Sequence, residues 1–259
     1  MAKKNHTAAA AEQPKPDAES TGLPLFYSKP VVLDVARHAD ATVTPITDYS
    51  FARKVNSVPV NGIEFIEAAK QYPVVFTLGE QAMPVAVLGL ENDNYFVEKD
   101  GSWKKGYYVP AYVRQYPFIF FEQPEQERFY LCIDEAAECF HQGASEGGQP
   151  LYTDGKASEL SNHALQFCTA YYQHYNITKN LCADLVKHKL LAPFQSEAKL
   201  ASGKQMHLSG FQMIDETAFN ALSDEVFAEF RKKGWLAFIY LALAATSNWK
   251  QLIDLGNEF

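Results

Sequence analysis

Between Val74 and Ile133 the apolar residues fall into short runs, and turn-forming residues bound each run. Val74–Leu78, Pro84–Leu90, Tyr95–Glu98, Phe118–Phe121 and Arg128–Ile133 are the strand-sized runs; Gly79-Glu80, Glu91–Asn94, Asp100-Gly101 and Gln123-Pro124 separate them. Spacing this tight leaves no room for crossover helices, so it predicts an antiparallel meander rather than βαβ units. Asp100-Gly101, lying between Tyr95–Glu98 and Trp103, is a hairpin signal. Upstream, the aromatic and β-branched residues of Pro24–Val35 predict a first strand. Glu64–Gln71 spaces Phe65, Ile66 and Ala69 as a short helix does, and Pro73 stops it.

After the Gly- and Ser-rich stretch Gly143–Gly148 the period changes. Leu160, Ala164, Phe167, Cys168, Tyr171 and Tyr175 stand at offsets 0, 4, 7, 8, 11 and 15, one face of a helix, with Ser158 or Ser161 as its cap. Ile177, Leu181 and Leu185 predict a second helix. Lys199–Met213 reads as a hairpin around Ser202-Gly203. Phe219, Leu222, Val226 and Phe230 form another amphipathic stripe, ended by Gly234, and Trp235, Phe238, Ile239 and Trp249 lie on a final helix. The expectation is an α+β fold, an antiparallel β-rich N-terminal half packed with a helical C-terminal half. Its parts are a disordered tail over 1–22, a β-rich part over 23–142, a linker over 143–157 and a mainly helical part over 158–259.

Composition narrows the class. With 259 residues and 47% hydrophobic content the chain can bury a sizeable core, while a net charge of -8 without a cluster of Lys and Arg argues against a nucleic-acid partner. Residues 1–21 contain no apolar stretch of the kind a secretory signal needs, and the most apolar run, Trp235–Ala245, is far below the ~20 residues of a spanning helix. Four cysteines in so long a chain do not suggest a disulfide framework; free, mostly buried thiols suit a reducing compartment, and a cytoplasmic location is expected.

No residue pattern in the chain assembles a known reactive constellation. Gly143-Ala-Ser-Glu-Gly147 matches the nucleophile-elbow pattern literally, but Gly148-Gln-Pro150 follows where a helix would have to start, so it reads as a flexible linker. Cys132, Asp134, Glu135, Cys139 and His141 are metal-ligand types with one wide cysteine spacing and no second half, and a strand end with a buried thiol is the simpler account. Asp134-Glu135 could cap a helix or offer carboxylates for acid–base work, and capping is the reading taken. The scattered His38, His141, His163, His174, His188 and His207 form no zincin or facial-triad pattern, and no phosphate-cradling glycine loop is present. No metal and no cofactor is expected.

The stretch Trp103 to Phe118, WKKGYYVPAYVRQYPF, is the distinctive one. Together with Pro24–Pro30, Tyr72–Phe76, Cys132–Glu135 and Gly210–Leu252 it resembles the SapC family of proteobacterial proteins, over about Pro24 to Leu255. The resemblance implies a role near TonB-dependent uptake at the outer membrane or near peptide modification, and it assigns no reaction. Members also carry a peptide-permease label, which the lack of a spanning segment contradicts, and the family name implies a surface-layer association, which the lack of an export signal speaks against.

Within the stretch, aromatic rings beside a single guanidinium can form a recognition surface, because rings supply area at low entropic cost and Arg adds directed donors. Trp103, Tyr108, Tyr112, Arg114, Tyr116 and Asp134 are therefore the candidate partner-binding residues. The competing account is a packed strand–turn–strand core with Arg114 tied to an internal carboxylate such as Asp134. The functional expectation is a non-enzymatic binding or accessory protein for a polypeptide or protein partner; the alternatives are an enzyme with an unrecognised site, peptide-modifying or oxygenase-like, and a surface-layer protein.

Overall fold

The computed structural model describes residues 23–123 and 128–259. The expected tail over 1–22 and the Pro124 half of the Gln123-Pro124 turn lie outside the described residues. In chain order come β1 (Pro30–Val32), α1 (Val35–His38), β2 (Thr42–Val43), β3 (Ser57–Pro59), α2 (Phe65–Ala68), β4 (Val74–Thr77), β5 (Pro84–Val87), α3 (Ala111–Arg114), β6 (Phe118–Gln123) and β7 (Arg128–Asp134). They are followed by β8 (Phe140–His141), β9 (Gln149–Pro150), β10 (Tyr152–Thr153), β11 (Lys156–Ala157), α4 (Glu159–Lys187), β12 (Leu191–Lys199), β13 (Gln205–Ile214), α5 (Glu216–Asn220), α6 (Asp224–Lys233), α7 (Trp235–Ala244) and α8 (Asn248–Glu258).

The fold is α+β, and its strand pairs are antiparallel. The expected meander divides instead between two sheets. One has the order β12-β13-β4-β5-β3, the other β1-β7-β6, and a small third sheet has the order β8-β2-β9. Thus the hairpin of the C-terminal half completes a sheet begun in the N-terminal half, through Phe211 opposite Thr77 and Gln212 opposite Phe76. Tyr95–Glu98 is not a strand; it contributes a single bridge, Val97 to Trp103, around the Asp100-Gly101 turn. The first strand shrinks to Pro30–Val32, because Asp34 accepts from the Ala36 and Arg37 amides and starts α1. Residues 143–157, expected as a linker, hold β9, β10 and β11, with β9 paired to β2.

Where two helices were expected, α4 runs unbroken for 29 residues, roughly 44 Å at 1.5 Å per residue. No Gly or Pro interrupts it, and Ser158 caps it by accepting from the Ser161 amide. Conversely, the single stripe from Phe219 to Phe230 is split between α5 and α6, since Ser223 begins a new helix. Gly234 then ends α6 in the left-handed region at φ 79°, a conformation glycine adopts without penalty.

The long helix ties together two apolar cores. Leu181, Cys182 and Leu185 enter the larger one, with Val74 and Phe76 from the five-stranded sheet, Leu88 just after β5, and Phe230 and Ile239 from the C-terminal helices. Ala164 and Cys168 enter the smaller one, against Phe118 and Ile133 of the three-stranded sheet and Leu151. Each fully buried Leu, Ile or Phe is worth about 1.5–3 kcal/mol of transfer free energy. This packing holds the first half of α4 a fixed distance from the turn that leads into β6.

A candidate binding cleft beside Arg114

The path from Gly106 to Phe118 begins at an exposed glycine on the flank of the larger core. Tyr107 packs on Phe96 at 4.9 Å, and Trp103 packs on Phe96 and Tyr49, only 8% exposed. The chain then needs to turn, and a buried carboxylate arranges it. Glu64 accepts from the Ala111 amide at 2.7 Å, the Asn61 amide at 2.8 Å and the Tyr108 hydroxyl at 3.0 Å. Ala111 opens α3, and the first amides of a helix lack partners within it, so Glu64 satisfies a donor that would otherwise be orphaned. Burial raises the Glu64 carboxyl above its ordinary value, against the pull of these hydrogen bonds and of the Arg114 charge.

Arg114 ends the α3 turn on the surface. Its Nε donates to the Val109 carbonyl at 3.0 Å and its Nη2 to the Tyr108 hydroxyl at 3.1 Å. The guanidinium lies 5.5 Å from the Tyr108 ring centroid and 5.3 Å from that of Phe167 on α4. Among the described residues no carboxylate is within ion-pair distance of it. The expected tie to Asp134 is absent: the internal carboxylate behind Arg114 is Glu64, reached through the Tyr108 hydroxyl. Burial and the Glu64 charge push that hydroxyl up to about 12, so it stays protonated and can bridge the two.

Beside the guanidinium lies a cavity of about 360 Å³. Phe118, Phe167, Ala164 and Cys168 give it an apolar floor, Ile46 closes one side, and Arg114 stands at its edge. The Cys168 thiol, pushed up to about 12 by burial, is no nucleophile at neutral pH. Tyr116 also faces the cavity and a second one of about 560 Å³ on the other side of Thr44–Ile46; its ring stacks on Phe51 at 4.3 Å.

Of the six residues singled out in the sequence, the structure brings Arg114 and Tyr116 to the cavity, with Tyr108 supporting the guanidinium. Tyr112 stands apart from it, 8% exposed, its hydroxyl donating to the Leu25 carbonyl and its ring against Phe26 and Tyr171. Trp103 belongs to the larger core. Asp134 is fully buried; it accepts from the amides of Ser28 at 2.9 Å, Lys29 at 2.7 Å and Ala136 at 3.1 Å, with the Tyr116 hydroxyl at 3.5 Å. It caps a turn and a strand crossing rather than a helix. Next to it, Glu135 pairs with Lys29, Arg37 and His38. Among the described residues no three His, Cys, Asp or Glu side chains converge as metal ligands, and no helix is long and apolar enough to cross a membrane.

Sequence reasoning did not single out Glu64, although Asn61 and Glu64 at the spacing of a capping box carried a signal, and the box is present. Phe167 was visible only as one member of a helical stripe. The Thr44–Ile46 wall gave no signal at all.

No curated protein and no solved structure matches this chain. A family model, SapC, matches residues 33–252, which include the cleft, the whole five-stranded sheet, β6 and β7 of the three-stranded one and most of the helices. The chain belongs to the SapC family.

Proposed function

We propose that this chain is a binding protein without a reaction of its own, and that the cleft beside Arg114 takes an apolar side chain of a polypeptide partner together with a neighbouring carboxylate. The observation that carries this reading is Arg114 itself. A guanidinium held by a carbonyl, a hydroxyl and two rings, with no carboxylate within ion-pair distance among the described residues, is oriented for an incoming anion at the edge of an apolar cavity. Cavities with an apolar lining and one or two fixed polar groups are the usual form of a ligand site. Glu64 supports the reading in a second way: it spends its acceptors on the backbone and Tyr108, and it does not line the cavity. We place the partner in TonB-dependent uptake or peptide modification, the setting the family resemblance implies, with the chain acting in the cytoplasm.

Selection of a displayed library of short random peptides on the immobilised protein tests this. Enriched peptides should pair an acidic residue with an aromatic or branched apolar one, and Arg114→Ala should weaken them about tenfold, equivalent to about 1.4 kcal/mol. Because Arg114 is exposed, thermal stability should hardly change. Enrichment that ignores Arg114→Ala, or no enrichment, refutes the proposal.

A further inference from the structure

Sheet edges are usually defended, since unpaired amides and carbonyls invite another chain to pair with them; short strands, proline, charge and bulges are the common devices. The described edges of this protein follow the rule, with one exception. β1 and β3 are three residues long and contain Pro30 and Pro59. β12 contains Pro193, charged Glu197 and Lys199, and a register irregularity between Phe194 and Ser196. β6, the remaining edge of the three-stranded sheet, opens with the apolar Phe118-Ile119-Phe120-Phe121 before its single charged residue, Glu122, and has no proline and no break in its register with β7.

The register shows which groups face outward. The Asp134 amide donates to the Pro117 carbonyl, so Phe118 opposite Ile133 is a pair without mutual hydrogen bonds, and the pattern alternates from there. The main-chain groups of Ile119 and Phe121 therefore point to β7, and those of Phe118, Phe120 and Glu122 point away. Phe118 is satisfied within the chain: its amide donates to the Gln115 carbonyl at 2.8 Å and its carbonyl accepts from the Tyr27 hydroxyl at 2.6 Å. For Phe120 no acceptor or donor is found among the described residues. Exposure rises in the same direction, from 6% at Phe118 to 39% at Phe121, with Phe129 at 38% on the neighbouring strand. The strand begins at the cleft, because Phe118 is one of its floor residues and Arg114 lies four positions earlier.

We infer that the polypeptide partner docks as an added strand along β6, pairing its main chain with Phe120 and Glu122 while one side chain fills the cavity and an acidic one meets Arg114. This deepens the proposed function and rests on it. Main-chain pairing supplies sequence-independent affinity, and the cleft selects the side chains, the division of labour seen wherever a peptide extends a sheet. The charge argues for a carboxylate-bearing segment, since Arg114, just before the strand, has no carboxylate within ion-pair distance among the described residues.

The test uses peptides enriched from the random library and their analogues N-methylated at alternate amides. Methylation of the amides on one edge should weaken binding tenfold or more, while methylation on the other edge leaves it within about twofold. Phe120→Pro, which removes the outward donor, should match the first loss; the N-methyl series reads the same contact if that variant does not fold. Equal sensitivity of both edges, with Arg114→Ala still weakening binding, overturns strand addition and leaves the cleft. Failure to enrich any peptide, or insensitivity to Arg114→Ala, overturns both. A dimer seen by light scattering in the free protein and lost on Phe120→Pro would assign the edge to a second copy and overturn the polypeptide partner.

Discussion

Replacing Glu64 by Gln tests whether one buried carboxylate holds the turn that presents Arg114. Oε1 accepts from both the Ala111 amide and the Tyr108 hydroxyl, and Oε2 from the Asn61 amide. A carboxamide can keep the first pair with its oxygen, but its nitrogen has no lone pair for Asn61. One buried amide then loses its acceptor, which costs about 2 kcal/mol. In a chain of this size that is a fall in Tm of roughly 4–8 °C. The pH dependence sharpens the test. Burial, the largest influence, raises the Glu64 carboxyl, so the folded protein holds this proton more tightly than the unfolded chain does. Its contribution is complete below the unfolded value of about 4.3 and is lost as pH rises through the raised folded one. Gln does not titrate, so thermal scans of the two proteins should show the widest gap near the bottom of that window and a narrower one above it. A Tm within about 1 °C of wild type throughout, or a gap that widens with pH, refutes the reasoning.

Asp134→Ala should be more damaging, about 3–5 kcal/mol by urea titration, because the Ser28, Lys29 and Ala136 amides all lose their acceptor in a fully buried place; Asp134→Asn should lose less. Leu185→Ala, at 0% exposure in the larger core, should cost about 2–5 kcal/mol, and a cost under about 1 kcal/mol would show that the core collapses around the cavity. Arg37 and Lys29 hold the Glu135 carboxyl near about 2, so its contribution is present above the unfolded value and is lost as pH falls towards the folded one; Arg37→Ala should move that loss to higher pH in an acid titration followed by circular dichroism. Ser158→Ala, removing the cap of α4, should cost about 1 kcal/mol, and no change in Tm would show that the helix start is held by tertiary contacts alone.

Local pattern revealed what local forces decide. The runs that became β4 to β7, the turn into β13 and most of β13 itself, the Ser158 cap and the Gly234 stop were legible, because turn chemistry and side-chain periodicity act over a few residues; β12, which begins at Leu191 rather than near Lys199, was not. The split of one expected meander into two sheets was not, since the pairing of Phe211 with Thr77 spans more of the chain than any periodicity reports. The two helices expected over Leu160–Leu185 are one because the apolar face precesses along a helix of this length while nothing in the backbone breaks it. At the site, the tyrosines and Arg114 stood out by type. Whether each faces solvent or core depends on Glu64, at the end of a 3₁₀ turn (Gly62–Glu64) more than forty residues earlier, which a motif within Trp103–Phe118 does not contain.

The junction between β13 and β4 sets a schedule for synthesis. Strands β3 to β5 emerge from the ribosome early, yet their sheet stays open on the β4 side until Phe211 and Gln212 have left the exit tunnel. Until then a row of amides and carbonyls on Val74–Thr77 faces water or chaperone. Closing so large a loop slows formation of non-local strand pairs. A chain stopped after α4 would therefore leave the β4 edge open to aggregation or proteolysis.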